Sequence, residues 1–255
     1  MDSVLLAYSG GADSTFLLKV ARDVLGKKIL AVTATSTLFP KEELIFAKKM
    51  AKTLGARHKI MKIAVLKNKK FTLNPVNRCY FCKKELFSHF KKIAKKFKLK
   101  FVLDGSNATD KKDFRPGSQA KRELRIRSPL QEAGIGKEDV RKLSKRLRLI
   151  TWNKPALSCL ASRVAYGIKI TPRLLRGINI LEVQLQHLGF KQVRLRHYNH
   201  LCRIEVFKDD LPAVIRKSSL ILDRFKKFGY HFVTVDLEGY RCGSMNIAIK
   251  NQHAR

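Results

Sequence analysis

A turn near the start of the chain combines glycines with hydroxyl and carboxylate side chains. Residues 9–14 read Ser-Gly-Gly-Ala-Asp-Ser, after a run of apolar residues and before a helical pattern. Glycines let a backbone approach a ligand closely, and the first N–H groups of a helix bind phosphate. Ser9 and Ser14 suit the oxygens of a pyrophosphate group, and Asp13 suits the Mg²⁺ ion that accompanies it. No Gly-Lys-Ser or Gly-Lys-Thr follows, which excludes the Walker A pattern. A generic glycine turn is the alternative.

Three of the five cysteines stand in sequences that suit thiolate chemistry. Cys79 and Cys82 form a Cys-x-x-Cys, which is half of a zinc site or part of an iron–sulfur site. Cys159 follows polar and turn-forming residues, and Arg163 stands four positions later. A nearby cation lowers the pKa of a thiol, so Cys159 is a candidate nucleophile. A buried apolar cysteine is the alternative for Cys159.

A predicted hairpin near residue 200 carries paired arginines. Arg194 and Arg196 are two positions apart and share one strand face, with apolar residues on the other. The partner strand alternates in the same way and carries Arg203 and Glu205. Two arginines in this arrangement suit bidentate phosphate binding. An exposed basic face is the alternative, because the composition makes one common.

Alternating apolar strands and helices position the turn and the first cysteines. The predicted strands are 4–8, 29–34, 58–64 and 101–103, and the predicted helices are 14–25, 41–54, 84–97 and 137–148. Strand–helix alternation over about 150 residues predicts an α/β fold with a parallel sheet and flanking helices.

The last third of the chain has a different pattern. A helix begins at Thr171-Pro172 and ends near Leu188, two strands follow at 191–197 and 201–207, and then come a helix at 210–228 and a strand at 231–236. This pattern predicts a smaller C-terminal α+β domain, and we place the two domains at 1–165 and 166–255.

The composition indicates a globular protein with an unusual charge. The chain has 255 residues, 45% of them hydrophobic, with 54 Lys and Arg against 20 Asp and Glu, a net charge of +34. A core of ordinary size is therefore expected, which excludes a disordered protein. Such a surface attracts polyanions, although a merely solvated basic surface is an equal alternative.

Nothing in the sequence indicates a membrane or secreted protein. No apolar run approaches the roughly 18 residues of a spanning helix, and the first residues lack a basic signal-peptide start. An odd number of cysteines without such a signal predicts a reduced, cytoplasmic setting. Cys202 and Cys242 each stand alone, and we interpret both as structural.

The order of residues 9–14, between a strand and a helix, resembles the PP-loop of N-type ATP pyrophosphatases. The resemblance implies cleavage of ATP between the α- and β-phosphates, with Mg²⁺. Such enzymes adenylate an oxygen, and a nucleophile from elsewhere then expels AMP. Cys159 is the natural candidate for that nucleophile.

Seven segments together resemble the LarE family of ATP-dependent sulfur transferases, which build the pyridinium part of the nickel-pincer cofactor. The segments are SGGADS at 9–14, NRCYFCKK at 77–84, DGSNATDKKDFRPG at 104–117, RSPL at 127–130, KPALSCLASRVAYG at 154–167, the hairpin RLRH and RIEV, and GYRCGSMN at 239–246. The resemblance covers essentially the whole chain.

The LarE resemblance implies a reaction on pyridinium-3,5-biscarboxylic acid mononucleotide. ATP adenylates a carboxylate, a sulfur nucleophile displaces AMP, and the carboxylate becomes a thiocarboxylate. In one form of the family a cysteine gives up its own sulfur, here Cys159. In the other, three cysteines hold a 4Fe–4S cluster that carries a donatable sulfide. The corresponding residues are Cys79, Cys82 and Cys159, and we favour this form.

The resemblance also implies the remaining site residues and partners. Gly105 joins the turn at 9–14 in the ATP site. The substrate is a small pyridinium mononucleotide, and we expect a homo-oligomer and no membrane contact. The implied substrate-binding residues are Ser162, Arg163, Glu182, Arg194, Arg196 and Glu205.

Two other functions remain open. A PP-loop tRNA thiolase also holds a cluster with a Cys-x-x-Cys and a distant cysteine, and a charge of +34 suits tRNA. Against it, the chain has no recognisable added RNA-binding domain. A nucleic-acid-binding module with a degenerate PP-loop is the third reading, and an intact Asp13 and the three cysteines argue against it.

Overall fold

The computed structural model describes residues 2–112, 116–155 and 158–247. Residues 113–115 of the segment at 104–117, and residues 156–157 of the segment at 154–167, lie outside the described residues. The chain divides into two compact units. Unit 1 comprises Met1–Phe71 and Asn77–Leu157, and unit 2 comprises Thr72–Val76 and Ser158–Arg255.

Unit 2 includes two segments that the strand and helix patterns did not assign to it. The Asn74 amide donates to the carbonyl oxygens of Ala165 at 2.7 Å and Ile168 at 3.0 Å. Val164 forms a parallel bridge with His197. Residues 72–76 and 158–165 therefore group with the C-terminal part of the chain, whereas the predicted domains divide at 165 and 166.

A four-stranded parallel sheet forms the centre of unit 1, as predicted. Its strands are β1 Val4–Ala7, β2 Ile29–Thr35, β3 Arg57–Lys62 and β4 Phe101–Leu103, in the order β3-β2-β1-β4. The first two strands are nearly continuous apolar runs and are buried on both faces. β3 alternates exposed and half-buried residues and forms one edge.

Seven helices accompany this sheet in the described part of unit 1. They are α1 Ala12–Leu25, α2 Lys41–Thr53, α3 Lys69–Thr72, α4 Arg78–Lys96, α5 Gly117–Glu123, α6 Pro129–Glu132 and α7 Lys137–Arg146. The predicted start of α4 at residue 84 was wrong, because the helix begins at Arg78 and so contains the Cys-x-x-Cys. The apolar stripe of α4 begins only at Leu86, so periodicity did not reveal its first two turns. The short helices α3, α5 and α6 were not predicted.

The core of unit 1 lies on both faces of the sheet. On one face, Val4 and Leu6 pack with Phe16 of α1 and Val140 of α7. On the other face, apolar residues of β1 and β2 pack with α4. The buried residues of that second cluster include Leu5, Leu30, Val32, Phe87 and Phe90.

Unit 2 has its own mixed sheet. Its elements are α8 Pro172–His187, β5 Val193–Tyr198, β6 Leu201–Val206, α9 Leu211–Arg216, α10 Ser218–Phe228 and β7 Phe232–Val235. β5 and β6 pair antiparallel and β6 and β7 pair parallel. The predicted N-cap of α8 is confirmed, because Thr171 accepts a hydrogen bond from Leu174 N at 3.2 Å. The predicted helix at 210–228 is two helices, divided at Lys217.

The fold class is therefore confirmed: an α/β unit with a parallel sheet, and a smaller α+β unit in the C-terminal part of the chain. No helix among the described residues is long and apolar enough to cross a membrane.

Candidate functional site

The turn after β1 lies where open α/β sheets bind ligands. The chain runs from β1 to β2 and β3 on one side and then returns to place β4 on the other. The carboxyl ends of β1 and β4 therefore flank a topological switch point, which is the usual ligand position in such sheets. Residues 9–11 follow β1 and lead directly into α1.

Hydroxyl groups and glycine backbone shape this turn. Ser9 Oγ and Ser14 Oγ are 3.0 Å apart, and Gly11 N donates to Ser9 Oγ at 3.3 Å. Gly10 has φ +74°, and a Cβ there would lie 2.9 Å from Cβ of Ala47. Only glycine fits that position without a shift of α2. The turn therefore brings a compact backbone loop to the start of α1, whose first N–H groups have no partner inside the helix.

The loop after β4 reaches the same place. A Cβ on Gly105 would lie 3.1 Å from both N and Cα of Ser14. Asp13 is in the first turn of α1. The structure thus brings together all six residues predicted for an ATP site: Ser9, Gly10, Gly11, Asp13, Ser14 and Gly105.

A buried polar cluster fixes the loop after β4. Asp104 accepts hydrogen bonds from Ser128 Oγ at 2.6 Å and Ser106 Oγ at 2.7 Å, and Lys121 Nζ lies 3.2 Å from its Oδ2. Burial acts to raise the pKa of Asp104, but the charges of Lys121 and Lys83 and the two hydroxyl groups outweigh it, so the pKa is lowered. Asp104 is therefore a carboxylate that holds Gly105 against Ser14. Sequence patterns gave no signal for this cluster.

A lysine that the sequence analysis did not select contacts the turn directly. Lys154 Nζ donates to the carbonyl oxygen of Gly10 at 3.3 Å and to Glu43 Oε2 at 2.8 Å. The same ammonium group lies 3.5 Å from the centroid of the Phe46 ring. Its side chain is only 15% exposed. The signal was its place at the start of the segment 154–167.

Unit 2 holds the second group of predicted residues, and Arg163 is at its centre. Arg163 makes a bidentate ion pair with Glu182, with N–O distances of 2.9 and 3.0 Å. Its Nη1 donates to the carbonyl oxygens of Ser158 at 2.8 Å and Cys159 at 3.2 Å. Arg163 therefore holds the backbone on both sides of the Cys159 peptide. Its effect on the pKa of the Cys159 thiol stays a prediction.

The paired arginines of the hairpin are buried, so the interpretation of them as an exposed basic face was wrong. Arg194 is 8% exposed and Arg196 is 5% exposed. Arg196 pairs with Glu205 at 2.7 Å and donates to the carbonyl oxygen of Ser162 at 3.2 Å. Its Nε is buried with no hydrogen-bond partner among the described residues. A buried donor of this kind is costly unless a ligand satisfies it.

Residues after β7 cover this face. Ser244 Oγ donates to Glu205 at 2.7 Å and accepts from Arg196 at 3.0 Å. The Arg194 guanidinium carbon lies 5.4 Å from the centroid of the Tyr240 ring. Burial, with the nearby charge of Arg163, lowers the pKa of Arg194. The segment 239–246 therefore forms the cover of the arginine cluster.

Unit 2 thus brings together all six residues predicted for substrate binding. Glu182 links two of them further, because its Oε1 also accepts from Leu195 N at 2.9 Å. Among the described residues, the ion pairs of this cluster and its border involve five arginines and four carboxylates. They are Arg163, Arg194, Arg196, Arg203 and Arg241, with Glu182, Glu205, Asp236 and Glu238.

The five cysteines differ in exposure. Cys79 is exposed and Cys82 is half-buried, and they lie three positions apart on one face of α4. Cys159 is half-buried, so the alternative of a buried apolar cysteine was wrong. Cys202 is buried and its thiol pKa is raised to about 12 by that burial, which suits a structural role. Cys242 is exposed, so a structural core role was wrong for it.

No metal centre is assembled in the part of the chain that the structure describes. No group of three or more His, Cys, Asp and Glu side chains there is arranged to hold a metal ion. Cys79 and Cys82 belong to unit 1 and Cys159 to unit 2. The three-cysteine set stays a prediction.

Comparison with known proteins adds three relatives of nearly full length, although no protein-family model matches the chain. A protein named pyridinium-3,5-bisthiocarboxylic acid mononucleotide synthase, from Lactiplantibacillus plantarum, is 37% identical over 247 residues, which are 96% of this chain and 90% of that protein. This chain belongs to the LarE family.

Two further relatives carry no functional name. An uncharacterized protein of Synechocystis sp. is 42% identical over 248 residues, covering 96% of this chain and 92% of that protein. One of Methanocaldococcus jannaschii is 32% identical over 239 residues, covering 93% and 90%. In this LarE family member, the similarity extends over both units.

Proposed function

We propose that this LarE family protein is an enzyme that converts the carboxylates of pyridinium-3,5-biscarboxylic acid mononucleotide into thiocarboxylates, with ATP as the activating substrate. The observation that carries the proposal is the near-full-length similarity to a protein named as the bisthiocarboxylic acid mononucleotide synthase. The two clusters described above supply residues of the right chemistry for the two substrates.

The turn after β1 suits the phosphates of ATP. Gly10 and Gly105 leave backbone close to the start of α1, and Ser9 and Ser14 add hydroxyl groups. Asp13 would hold the Mg²⁺ ion on the pyrophosphate. In the activating step a substrate carboxylate oxygen attacks the α-phosphorus, the bond between the α-phosphorus and the bridging oxygen breaks, and pyrophosphate leaves.

The arginine cluster suits an anionic mononucleotide. Buried guanidinium groups bind phosphate and carboxylate in a bidentate manner, and their ion pairs with Glu182 and Glu205 fix their orientation before substrate arrives. The unsatisfied Nε of Arg196 offers a further donor. We propose that Arg194 and Arg196 bind the substrate phosphate and that Ser162 and Arg163 complete the site.

The sulfur has two chemically complete sources. In the first, the Cys159 thiolate attacks the acyl-adenylate carbonyl, AMP leaves, and a thioester forms. Loss of the Cys159 α-proton with cleavage of its Cβ–S bond then leaves the thiocarboxylate and dehydroalanine. In the second, which we favour, a 4Fe–4S cluster supplies a sulfide. Cys79 and Cys82 suit two of its ligands, since they share one helix face. Cys159 would be the third.

Substitution of Asp13 tests the ATP half of this proposal. Asp13→Ala should abolish formation of AMP and pyrophosphate, because the Mg²⁺ that neutralises the leaving group would lose its protein ligand. The matched control is Asp23→Ala, which removes an exposed carboxylate from the same helix that pairs only with Lys19 among the described residues. Wild-type protein that releases ADP and phosphate instead would refute the PP-loop interpretation.

A PP-loop tRNA thiolase remains the second candidate, because the net charge of +34 exceeds what a small-molecule enzyme requires. Mass spectrometry separates the two. The proposed enzyme gives a thiocarboxylate mononucleotide, whereas the alternative gives thiolated nucleosides in digested tRNA and no reaction with the pyridinium substrate.

A further inference from the structure

A second concave surface lies on unit 1, at the edge of the sheet formed by β4. It is a cleft of about 490 Å³ between the last two turns of α4, the amino end of β4 and the segment at 125–127. The nucleotide turn and Gly105 lie beyond the opposite, carboxyl end of β4. The cleft is therefore separate from the proposed ATP site.

The cleft carries a concentrated positive charge. Five cations line it, and its lining includes no carboxylate among the described residues. Lys100 pairs with Asp2 and Arg127 pairs with Glu132. The other three cations are exposed and make no ion pair with any described residue, so their charge is available to a ligand. They are Lys91, Lys95 and Arg125.

Apolar groups form the rest of the cleft. Leu99 and Phe101 are half-buried in its wall. The guanidinium carbon of Arg127 lies 5.8 Å from the centroid of the Phe101 ring, so an aromatic ring and a planar cation stand together beside the lysines. Cations that follow a backbone, combined with an aromatic surface for bases, are the two components of sites for single-stranded nucleic acid.

We propose that this cleft binds a single-stranded polynucleotide. Lys91 and Lys95 stand one helical turn apart, about 6 Å along the axis of α4, and bind successive phosphates together with Arg125. A base packs on the apolar wall at Leu99 and Phe101. A concave site with its apolar atoms in the wall suits a flexible chain better than a flat bilayer. The net charge of +34 speeds the encounter, but the cleft sets where the strand binds.

Fluorescence anisotropy of the full-length protein tests this inference. The probes are fluorescein-labelled oligouridine and oligothymidine, titrated at several salt concentrations. The variant is the triple change Lys91→Gln, Lys95→Gln and Arg125→Gln. It should weaken binding at least tenfold at 0.1 M salt. It should also make the slope of log K against log salt less negative by about 2, since each phosphate contact with a single strand contributes about 0.7.

The matched control removes the same charge from the other face of the sheet. It is Lys27→Gln, Lys52→Gln and Lys142→Gln, three exposed lysines on or beside α1, α2 and α7. This control should bind within threefold of wild type with an unchanged slope, and melting curves check that both variants fold. Equal losses in the two triples would show diffuse charge and overturn the inference. Undetectable binding, displacement by millimolar AMP, or protection of the cleft by phosphatidylserine vesicles instead of oligonucleotide would also overturn it.

Discussion

One ammonium group contacts the backbone of the turn after β1. Lys154 holds the Gly10 carbonyl oxygen, and Glu43 and Phe46 hold Lys154 in turn. Gly10 has a positive φ, so its carbonyl points away from the direction that a regular strand would give it. The lysine therefore stabilises the conformation that presents the turn to a phosphate group.

Substitution of Lys154 tests that role. Lys154→Met keeps most of the stem over Phe46 and removes the charge. We expect kcat/KM for ATP to fall roughly 10- to 100-fold, because a charge-assisted hydrogen bond contributes about 1.5–3 kcal/mol. Lys154→Arg should recover part of the loss. The measurement is the rate of pyrophosphate release over a range of ATP concentrations.

Glu43→Gln is the matched control for Lys154. It weakens the ion pair and leaves the contact with Gly10 in place, so it should cost less than Lys154→Met. Equal losses from the two substitutions would mean that the pair is only structural. Melting temperatures of all three variants separate a general loss of stability from a change in the turn.

The buried arginines show what residue patterns can and cannot give. Alternation along β5 correctly placed Arg194 and Arg196 on one face. It did not reveal their burial, because the cover comes from a segment without regular strand or helix pattern. Tyr240 N bonds Val206 O at 2.7 Å and so fixes that segment beside β6. The burial of a charged face depends on such distant segments, which strand periodicity does not describe.

Among the elements, β5 carries a titratable group in the core of unit 2. His197 Nδ1 lies 2.9 Å from the Tyr230 hydroxyl, and the ring is 9% exposed. Burial, with a smaller effect from the charge of His200, lowers the pKa of His197 from 6.5 to about 4. Neutral imidazole is therefore the form that the folded strand accommodates.

Acid should destabilise the protein through this strand. The folded-state pKa lies below that of the unfolded chain, so the unfolded state binds the proton first as the pH falls. The contribution is complete above about pH 6.5, declines as the pH falls toward about 4, and amounts to about 2–3 kcal/mol. The check is the free energy of unfolding in urea at pH 7 and pH 4.5, for wild type and His197→Asn. The decrease should be about 2 kcal/mol larger in wild type, and parallel decreases would contradict the assignment.

The helices and strands of the two units were predicted where hydrophobic periodicity was strong. β1, β2 and α8 lie within two residues of the predicted bounds. The errors have local causes. The polar sequence of α5 offers no apolar stripe, and the first two turns of α4 pack through cysteine, tyrosine and phenylalanine rather than through a regular pattern. The break at Lys217 is a change of backbone angles to φ −98° and ψ 13° that no glycine or proline marks.

For the whole molecule, the two substrates are assigned to different units. Unit 1 contains the turn for ATP and the Cys-x-x-Cys, and unit 2 contains the arginine cluster and Cys159. Grouping residues by sequence motif gave the members of both clusters, because each motif follows one strand or helix end. The contacts that support them did not follow from motifs. Lys154, Asp104 and Ser244 are three examples.

The source of sulfur is a property of the whole chain, because the three cysteines come from both units. If they hold a 4Fe–4S cluster, anaerobically prepared protein should be brown, with broad absorption at about 400 nm, and should turn over repeatedly when sulfide is supplied. Alanine at Cys79, Cys82 or Cys159 should each remove the colour, because three thiolates are needed. Cys242→Ala, which changes an exposed thiol outside the set, should not. If Cys159 is consumed instead, the protein is colourless, makes one product per chain, and loses about 34 Da at Cys159, the mass of H₂S. Intact-protein mass spectrometry after a single turnover distinguishes the two outcomes. A mass loss at Cys159 in a protein whose colour depends only on Cys79 and Cys82 would mean a structural metal beside a consumed cysteine, and the cluster proposal would be wrong.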